Sequence, residues 1–476
     1  MPNKYYQTSL IETFSDCQDM LLDSKTTFFQ LVEEHIDLNE FIPLAFYTAF
    51  HKGIGRKRTF PLCGFLSALI LQKILAIPSD SLLIILLNLC KELRDFCGFK
   101  KIPDAPLFTR FRQNFLPYIE LMFQNMVDYT EPICQVIDEG LANILTFDTS
   151  GIELYVTENN PKTLNSLIKK LKTFYKNKPD VDPYKMAYGL MPIQAESCKD
   201  AKQQYINGHF CYADKFAILT NGLGITRHIT FLDDDFKEKH PEVHIDKKSD
   251  SPDDDKSIGD SSSLKPILSD FFTAHPHFCP NTFLGDSAFD SFDTYGFLKD
   301  EFHFDKVLIP YNTRNESNLP KVGYNLYGYP TCPKNPDLDM KYHGITCEKG
   351  RSDRYKWGCP KVRYVKGDWV NDCKNPCSSA KKGRTTYISE NMDFRLFPGI
   401  QRDSDEWNSL YKIRTNVERT INHLKTNMCV AGRKSRNHLT TKADVFIAGI
   451  ASQFTAIVAH RIKNPKLIRS LKPLIA

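Results

Sequence analysis

The stretch NILTFDTSG at residues 143–151 decides the fold, because the residue pattern changes here from helical to strand-like. Residues 143–147 form a short apolar run that predicts a β-strand, and Asp148 follows it directly. A carboxylate just past a buried strand lies at the carboxyl edge of a sheet, where open α/β folds place their sites. Asp148 is therefore a candidate site residue, although a single such Asp also suits a helix cap or a turn.

Four further strand-like runs follow this one. The second and third are joined through Asn221-Gly222, a strong hairpin signal, and Asp286 follows the fourth as Asp148 follows the first. The runs cover residues 209–219, 225–232, 282–285 and 306–310, with helices predicted at 264–274 and 292–302. The pattern predicts three strands, a helix, a strand, a helix and a strand.

Residues 1–140 are predicted to be helical and to form a separate N-terminal domain. Apolar residues recur at helical spacing from Leu66 to Ile77, and Pro78-Ser79-Asp80 then breaks and recaps the chain. A further helix begins near Asp104 and alternates Phe side chains with Arg110 and Arg112. If exposed, these arginines suit a DNA-binding helical domain; a helical bundle with no contact to DNA is the plainer alternative.

Residues 311–405 interrupt the second domain, which we place at 141–476. This insertion is rich in Pro, Gly, Tyr and Cys, and we expect it to have a small β structure of its own. Its cysteines have no CxxC spacing: Cys332, Cys347, Cys359, Cys373 and Cys377. A zinc site, in which Cys373 and Cys377 would be one pair, and free thiols both remain open.

Charge is unevenly distributed along the chain. Residues 409–476 contain 13 Lys or Arg against two acids, which suits a polyanionic partner and equally a solvated surface. If the partner is DNA, Arg433, Lys434 and Arg436 are candidate contacts. The apolar stretch 61–97 is too interrupted to span a bilayer, so we expect no membrane contact. With no secretory signal at Met1, we expect a cytoplasmic protein with reduced thiols.

A helix predicted at about 405–428 carries the chemistry. At 100° per residue, Trp407, Tyr411, Arg414, Glu418 and Lys425 fall within an arc of about 60°, beside a separate apolar stripe. A surface helix with an Arg–Glu pair is the plainer alternative. Together with the two strand-end Asp residues, however, this Glu makes a set of three carboxylates, which repel one another unless hard divalent cations bind.

The spacing Tyr411-x2-Arg414-x3-Glu418-x6-Lys425 resembles the signature of bacterial insertion-sequence transposases of the DDE, RNase H-like superfamily. The resemblance implies Asp148, Asp286 and Glu418 as catalytic metal ligands. It also implies two Mg²⁺ or Mn²⁺ ions, which would stabilise the attacking and leaving oxygens of phosphodiester transfer. Tyr411, Arg414 and Lys425 would contact DNA phosphates.

The implied fold is α/β, an RNase H-like mixed five-stranded sheet of order 3-2-1-4-5 flanked by helices. It has an N-terminal helical domain and a Cys-containing insertion before the catalytic Glu helix. The implied partners are terminal inverted repeats and target DNA, bound by a homodimer. Some members of the group flip a base onto an aromatic residue; Trp357, Trp369 and Trp407 all remain open for this role. A nuclease without strand transfer, or an inactive DNA-binding descendant, are the alternative functions.

Overall fold

The computed structural model of the chain describes most of the sequence. The described residues are Ser9, 27–51, 58–206, 209–243, 258–312, 323–325, 329–350, 352–389, 398–402 and 404–475. All structural statements below refer to these residues.

The N-terminal region is helical, as the apolar spacing predicts. Its helices are α1 (Thr27–His35), α2 (Leu44–Phe50), α3 (Leu62–Ile74), α4 (Asp80–Leu89), α5 (Lys91–Phe96), α6 (Ala105–Asn114), α7 (Leu116–Ile137) and the short α8 (Glu139–Ala142). The predicted break before α4 is confirmed, because the Ser79 hydroxyl accepts a hydrogen bond from the Leu82 amide at 3.2 Å. Asp104 caps α6 in the same way, at 3.0 Å from the Leu107 amide.

A mixed sheet follows these helices. Its strands are β1 (Ile144–Glu153), β2 (Gln194–Ala195), β3 (Cys198–Ile206), β4 (His209–Asn221), β5 (Thr226–Phe231), β6 (Thr282–Leu284) and β7 (Lys306–Leu308). The helices among them are α9 (Pro161–Phe174), α10 (Pro183–Leu190), α11 (Asp234–Lys239), α12 (Asp260–Ala274) and α13 (Phe292–Gly296).

The five strands predicted from the sequence pair in the order β5-β4-β1-β6-β7, which is the expected 3-2-1-4-5 arrangement. β1 is antiparallel to β4 and parallel to β6. Two further strands, β2 and β3, extend the sheet from the first half of β4 and were not predicted. The protein is thus a mixed α/β structure with a mixed sheet and a helical N-terminal region.

The prediction that the first strand ends at Phe147 is wrong. β1 continues to Glu153 because β4 pairs with it from Leu145 to Glu153, whereas β6 pairs only with its first residues, up to Thr146. Asp148 therefore lies within a strand, at the point where the pairing with β6 has just ended. This position still opens toward the carboxyl edge of the parallel pair.

The insertion has its own small β structure, as expected. Its strands are β8 (Thr331–Cys332), β9 (Asn335–Asp339), β10 (Lys341–Thr346), β11 (Arg354–Gly358), β12 (Val362–Val365), β13 (Asp368–Asn371) and β14 (Thr385–Ser389). They pair within three small sheets and surround a separate apolar cluster that contains Tyr355 and Trp357.

The helical run predicted at 405–428 is confirmed, but it is irregular. It consists of α14 (Asp405–Tyr411), a 3-10 turn (Lys412–Arg414), α15 (Thr415–Asn422) and a π turn (His423–Asn427). Two hydrogen bonds fix α15 on the β4–β5 turn: Asn416 Nδ2 donates to Gly222 O at 2.7 Å and Thr420 Oγ1 donates to Gly224 O at 2.9 Å.

The last long helix, α16 (His438–Arg461), lies in the middle of the protein. It packs on α3, α6, α7 and β5. By length and composition it could cross a membrane, but 94% of its apolar window is buried inside the protein, as in a core helix.

Arg112 joins the N-terminal helices to α16, and the expectation that it is exposed is wrong. Its side chain has 0% exposure, and its guanidinium donates to Asp444 at 3.0 Å and to Asp80 at 2.8 Å. Lys73 lies 3.1 Å from Asp444. Arg433, expected on a DNA-facing tail, is drawn into the same cluster, 2.7 Å from Asp80. The N-terminal helices α3, α4 and α6 thus share one charge cluster with Arg433 and α16, more than 300 residues further along the chain.

Candidate active site

The register of the parallel strands places Asp148 and Asp286 side by side. Thr146 of β1 pairs with Leu284 of β6, and each Asp lies two residues beyond its member of that pair. Adjacent strands are about 4.8 Å apart, so the two residues are neighbours at the carboxyl edge of the sheet. The strand-end reasoning from the sequence therefore identified two adjacent positions.

Alternation along β1 selects the face on which Asp148 lies. Side chains two residues apart share a face of a strand, so Asp148 shares its face with Ile144 and Ser150. Ile144 packs in the apolar cluster beneath α14 with Trp407, and Ser150 accepts a hydrogen bond from Lys425 at 3.1 Å. The face that carries Asp148 is therefore the one covered by the helical run 405–427.

Arg414 lies between two of the predicted carboxylates. Its Nη1 donates to Glu418 Oε1 at 2.5 Å and its Nη2 donates to Asp286 Oδ2 at 3.3 Å. The side chain of Arg414 is 12% exposed, whereas Asp286 and Glu418 are 52% and 50% exposed. The Arg–Glu pair considered as a plain surface contact thus also bridges the helix to the end of β6.

The other predicted residues of this helical face also meet the sheet. Tyr411 donates to Gly285 O at 3.4 Å and stacks on Trp407, with ring centroids 4.6 Å apart. Burial raises the pKa of Tyr411 to about 12, so its hydroxyl keeps its proton at neutral pH. Burial lowers the pKa of Lys425. Tyr411, Arg414, Glu418 and Lys425 therefore form one continuous edge of the site.

Burial raises the pKa of Asp148 to about 6, and the negative charges of Asp260 and Glu418 act in the same direction. The Thr149 amide, which donates to Asp148 at 2.8 Å, and Arg414 oppose this shift. A carboxylate in this setting gains from any cation that comes close.

Asp260 is a nearby acid that sequence reasoning did not select. It begins α12, accepts from the Thr149 hydroxyl at 2.7 Å and lies 2.9 Å from Lys215 Nζ. In the sequence it is one of many acids in the segment 232–260, and nothing in the local pattern distinguishes it from the others. Ser150, in the strand-end stretch 143–151, was not predicted as a site residue, although its contact with Lys425 fixes one end of the site.

The candidate ligand side chains are not arranged as a complete metal site in this structure. Across the part of the chain described here, no group of three or more His, Cys, Asp or Glu side chains is arranged to hold a metal ion. At the carboxylate edge, Arg414 stands between Asp286 and Glu418. In the insertion, the Cys377 thiol is hydrogen-bonded to that of Cys332, and burial raises its pKa, whereas Cys347 is exposed.

The remaining predicted DNA contacts divide into two groups. Arg110, Lys434 and Arg436 are exposed, and the Arg436 guanidinium lies 5.4 Å above the Tyr155 ring. Arg112 and Arg433 belong to the buried charge cluster and are committed to Asp80 and Asp444. In this conformation Arg112 has no exposed surface and Arg433 is only 11% exposed, and both are paired with carboxylates rather than presented to a polyanion.

The three tryptophans left open by the sequence are now distinguished. Trp357 is buried in the insertion and Trp407 is buried beneath Tyr411, whereas Trp369 on β13 is 40% exposed. Of these three side chains, Trp369 has the most accessible ring.

Comparison with known families identifies the N-terminal region. Residues 16–114 match the family model described as "Transposase domain (DUF772)". The matched segment covers α1 to α6, including Asp80 and Arg112 of the buried charge cluster. The comparisons with curated proteins and with solved structures gave no match.

Proposed function

We propose that the chain is a DNA transposase of the DDE, RNase H-like class, which cuts the ends of its mobile element and joins them to target DNA. The observation that carries the proposal is that Arg414 bridges Asp286 and Glu418 at the edge of the sheet where Asp148 lies on the neighbouring strand. The transposase domain matched at residues 16–114 supports this reading over other phosphoryl-transfer enzymes.

The donor set fits a hard divalent cation in chemistry. Mg²⁺ and Mn²⁺ take carboxylate oxygens, and Asp148, Asp286 and Glu418 would supply them. When bound, two such ions would offset the charge on the attacking and leaving oxygens of phosphodiester transfer. Arg414 pairs with Asp286 and Glu418 in this structure. Its guanidinium must therefore move aside before metal ions can bind to these carboxylates.

The basic residues of the helical run then have separate tasks. Arg414, once released from Asp286 and Glu418, can hold a phosphate through two parallel N–H bonds. Lys425, held at Ser150, places one positive charge further along β1. Tyr411 keeps its proton and can donate to a phosphate oxygen. These groups orient the DNA backbone while the carboxylate edge serves the reacting phosphate.

In the proposed reaction both ends of the mobile DNA element are cut and joined to target DNA. We therefore expect two copies of the chain to act together, one at each DNA end. Terminal inverted repeats and target DNA are the proposed partners. A nuclease that cuts without joining would use the same carboxylates; the products of the reaction distinguish it from a transposase.

Glu418→Gln tests the proposal, with Glu406→Gln as its matched control. Both residues lie on the helical run 405–427, but Glu406 pairs with Lys306 at 2.6 Å, outside the site. The substrate is a labelled fragment of the DNA that flanks the coding sequence. Binding is measured by gel shift in Ca²⁺, and cleavage and 3′-end joining in Mg²⁺ or Mn²⁺.

We expect Glu418→Gln to bind the fragment as the wild type does and to lose cleavage by at least about 100-fold, because a neutral amide is a poor ligand for a hard cation. Glu406→Gln should cleave normally. Cleavage by Glu418→Gln at the wild-type rate in Mg²⁺ would refute the assignment. Cleavage without joining by the wild type would identify a nuclease instead.

A further inference from the structure

The segment between β1 and β2 is the most strongly basic stretch near the site, and sequence reasoning passed over it. Residues 161–178 contain six Lys and no Asp or Glu. All six lysines are exposed, whereas Ile168 of α9 is buried. α9 packs on α10, where Ala187 is buried. The helix therefore uses its apolar side for packing and presents its charges to solvent.

Three of the six lysines, together with Ile168, line an open groove between α9 and α10. Its polar lining includes Asn165, Lys169, Lys172, Lys176 and Tyr184. Lys172 Nζ donates to the Tyr184 hydroxyl at 2.7 Å and lies 4.4 Å from the centroid of its ring. Ammonium, amide and phenol groups are the donors that proteins use to bind DNA phosphates without reading the sequence.

The position of the groove connects it to the site. β1 carries Asp148 and runs outward to Glu153; just beyond, the Tyr155 amide donates to Ser435 O at 2.9 Å. Arg436 covers the Tyr155 ring. From Asp148 to Leu154 the strand spans about 20 Å at about 3.3 Å per residue, which is roughly six base-pair steps of duplex DNA.

Basic groups mark this path from one end to the other. Arg414 lies at Asp286, Lys425 at Ser150 and Arg436 at Tyr155, and the lysines of α9 follow. Because these residues come from two separate segments of the chain, only the packing of the run 405–436 along β1 places them in line.

We propose that the α9–α10 groove, with Tyr155 and Arg436, binds the phosphate backbone of duplex DNA that flanks the scissile phosphate. This inference rests on the proposed transposase function and names the surface that holds its substrate. A basic amphipathic helix can also lie on a membrane, but that requires a free apolar face. Phe174 of α9 and Leu190 of α10 are 78% and 58% exposed, so the test below includes a membrane surface. Duplex DNA is the favoured partner because the basic groups from Arg414 to Arg436 lead from the carboxylate edge to the groove.

The test compares two double variants that remove the same charge. Lys169→Ala/Lys176→Ala removes two lysines of the groove. Lys466→Ala/Lys472→Ala removes two exposed lysines near Arg469, which donates to Leu223 O in the β4–β5 turn. That turn adjoins the start of β1 and contacts α15, whereas the groove lies beyond the far end of β1.

Binding of a labelled duplex is measured in Ca²⁺ over a range of NaCl concentrations. The groove variant should bind more weakly and flatten the log–log salt slope by up to about 1.8, at about 0.9 for each lost phosphate contact. The matched variant should keep the wild-type slope. Lys169→Arg/Lys176→Arg should restore binding, which separates loss of charge from loss of folding.

The possible results distinguish failure of the groove proposal from failure of the proposed function. If the wild type binds and cleaves end DNA but the groove variant keeps the wild-type slope, the groove proposal is overturned and the proposed function stands. If the wild type neither binds nor cleaves such DNA, both are overturned. Loss of binding to anionic lipid vesicles, with an unchanged DNA slope, would assign the groove to a membrane surface instead.

Discussion

Replacing Arg112 by Ala should destabilise the protein without removing a DNA contact. The Arg112 guanidinium is fully buried, with donors to Asp80, Asp444 and the Gln72 side chain at 2.8–3.0 Å. Removing one partner of a buried ion pair typically costs about 3–5 kcal/mol, because the remaining charges are left in a poorly solvated interior.

The neighbouring cations reduce this cost without cancelling it. Arg433 and Lys73 stay within 3.3 Å of the same two carboxylates and can still offset their charge. We therefore expect the lower end of the range, a loss of about 3 kcal/mol in the free energy of unfolding. For 476 residues unfolding together, at about 2.1 cal/mol/K per residue, this corresponds to a fall in Tm of about 3 °C.

Thermal and denaturant unfolding measure the effect, and Arg110→Ala is the matched control. Arg110 lies two residues away on α6 and is exposed, so its removal should change stability by less than about 0.5 kcal/mol. Binding of end DNA by folded Arg112→Ala should match the wild type. A variant of unchanged stability that has lost DNA binding would show that Arg112 reaches DNA, and the buried-cluster reasoning would fail.

Lys425→Ala should weaken both DNA binding and cleavage partially, since one charge-assisted contact is worth about 1.5–3 kcal/mol; gel shifts and cleavage rates that both match the wild type would contradict this. A second prediction concerns pH. Burial lowers the pKa of His438, but its contacts with the carboxylates of Asp214 and Asp233, at 3.1 and 2.9 Å, outweigh burial and raise it to about 10. Because the folded pKa exceeds the unfolded value of about 6.5, the stabilisation is complete below pH 6.5 and is lost as pH rises toward 10, by up to about 1.4 kcal/mol per pH unit. The stability difference between wild type and His438→Gln, followed from pH 6 to 10, should shrink; a constant difference would mean that the imidazole is not charged in the folded protein.

The sequence predicted the part of the fold that depends on local pattern. Strand-like runs, the Asn221-Gly222 turn and the capping residues Ser79 and Asp104 each act within a few residues, so they could be recognised without neighbours. The same holds for the face of the helical run 405–427, since Arg414, Glu418 and Lys425 follow helical spacing. Sequence alone could not show how far β1 extends, because its last residues are held by pairing with β4.

The segment between β1 and β4 was missed for a different reason. β3 is stabilised by pairing with β4, and β2 by pairing with β3, rather than by their own composition. The lysines of α9 are evident in the sequence. A run of like charges does not show, however, whether it is only solvated or lies beside the candidate site. The position of α9 relative to Asp148 depends on the direction in which β1 runs beyond Asp148.

By itself, the sequence determined which acidic and basic side chains are candidates for the site and on which helix or strand most of them lie. Tertiary structure decided which charges are used for stability and which remain exposed. Arg110 and Arg112 are two residues apart, yet one is exposed and the other is fully buried against Asp444, 332 positions further along the chain. The physical reason is that burial and ion pairing depend on contacts between distant segments, and these determine whether a cation stabilises the core or remains available to a polyanion.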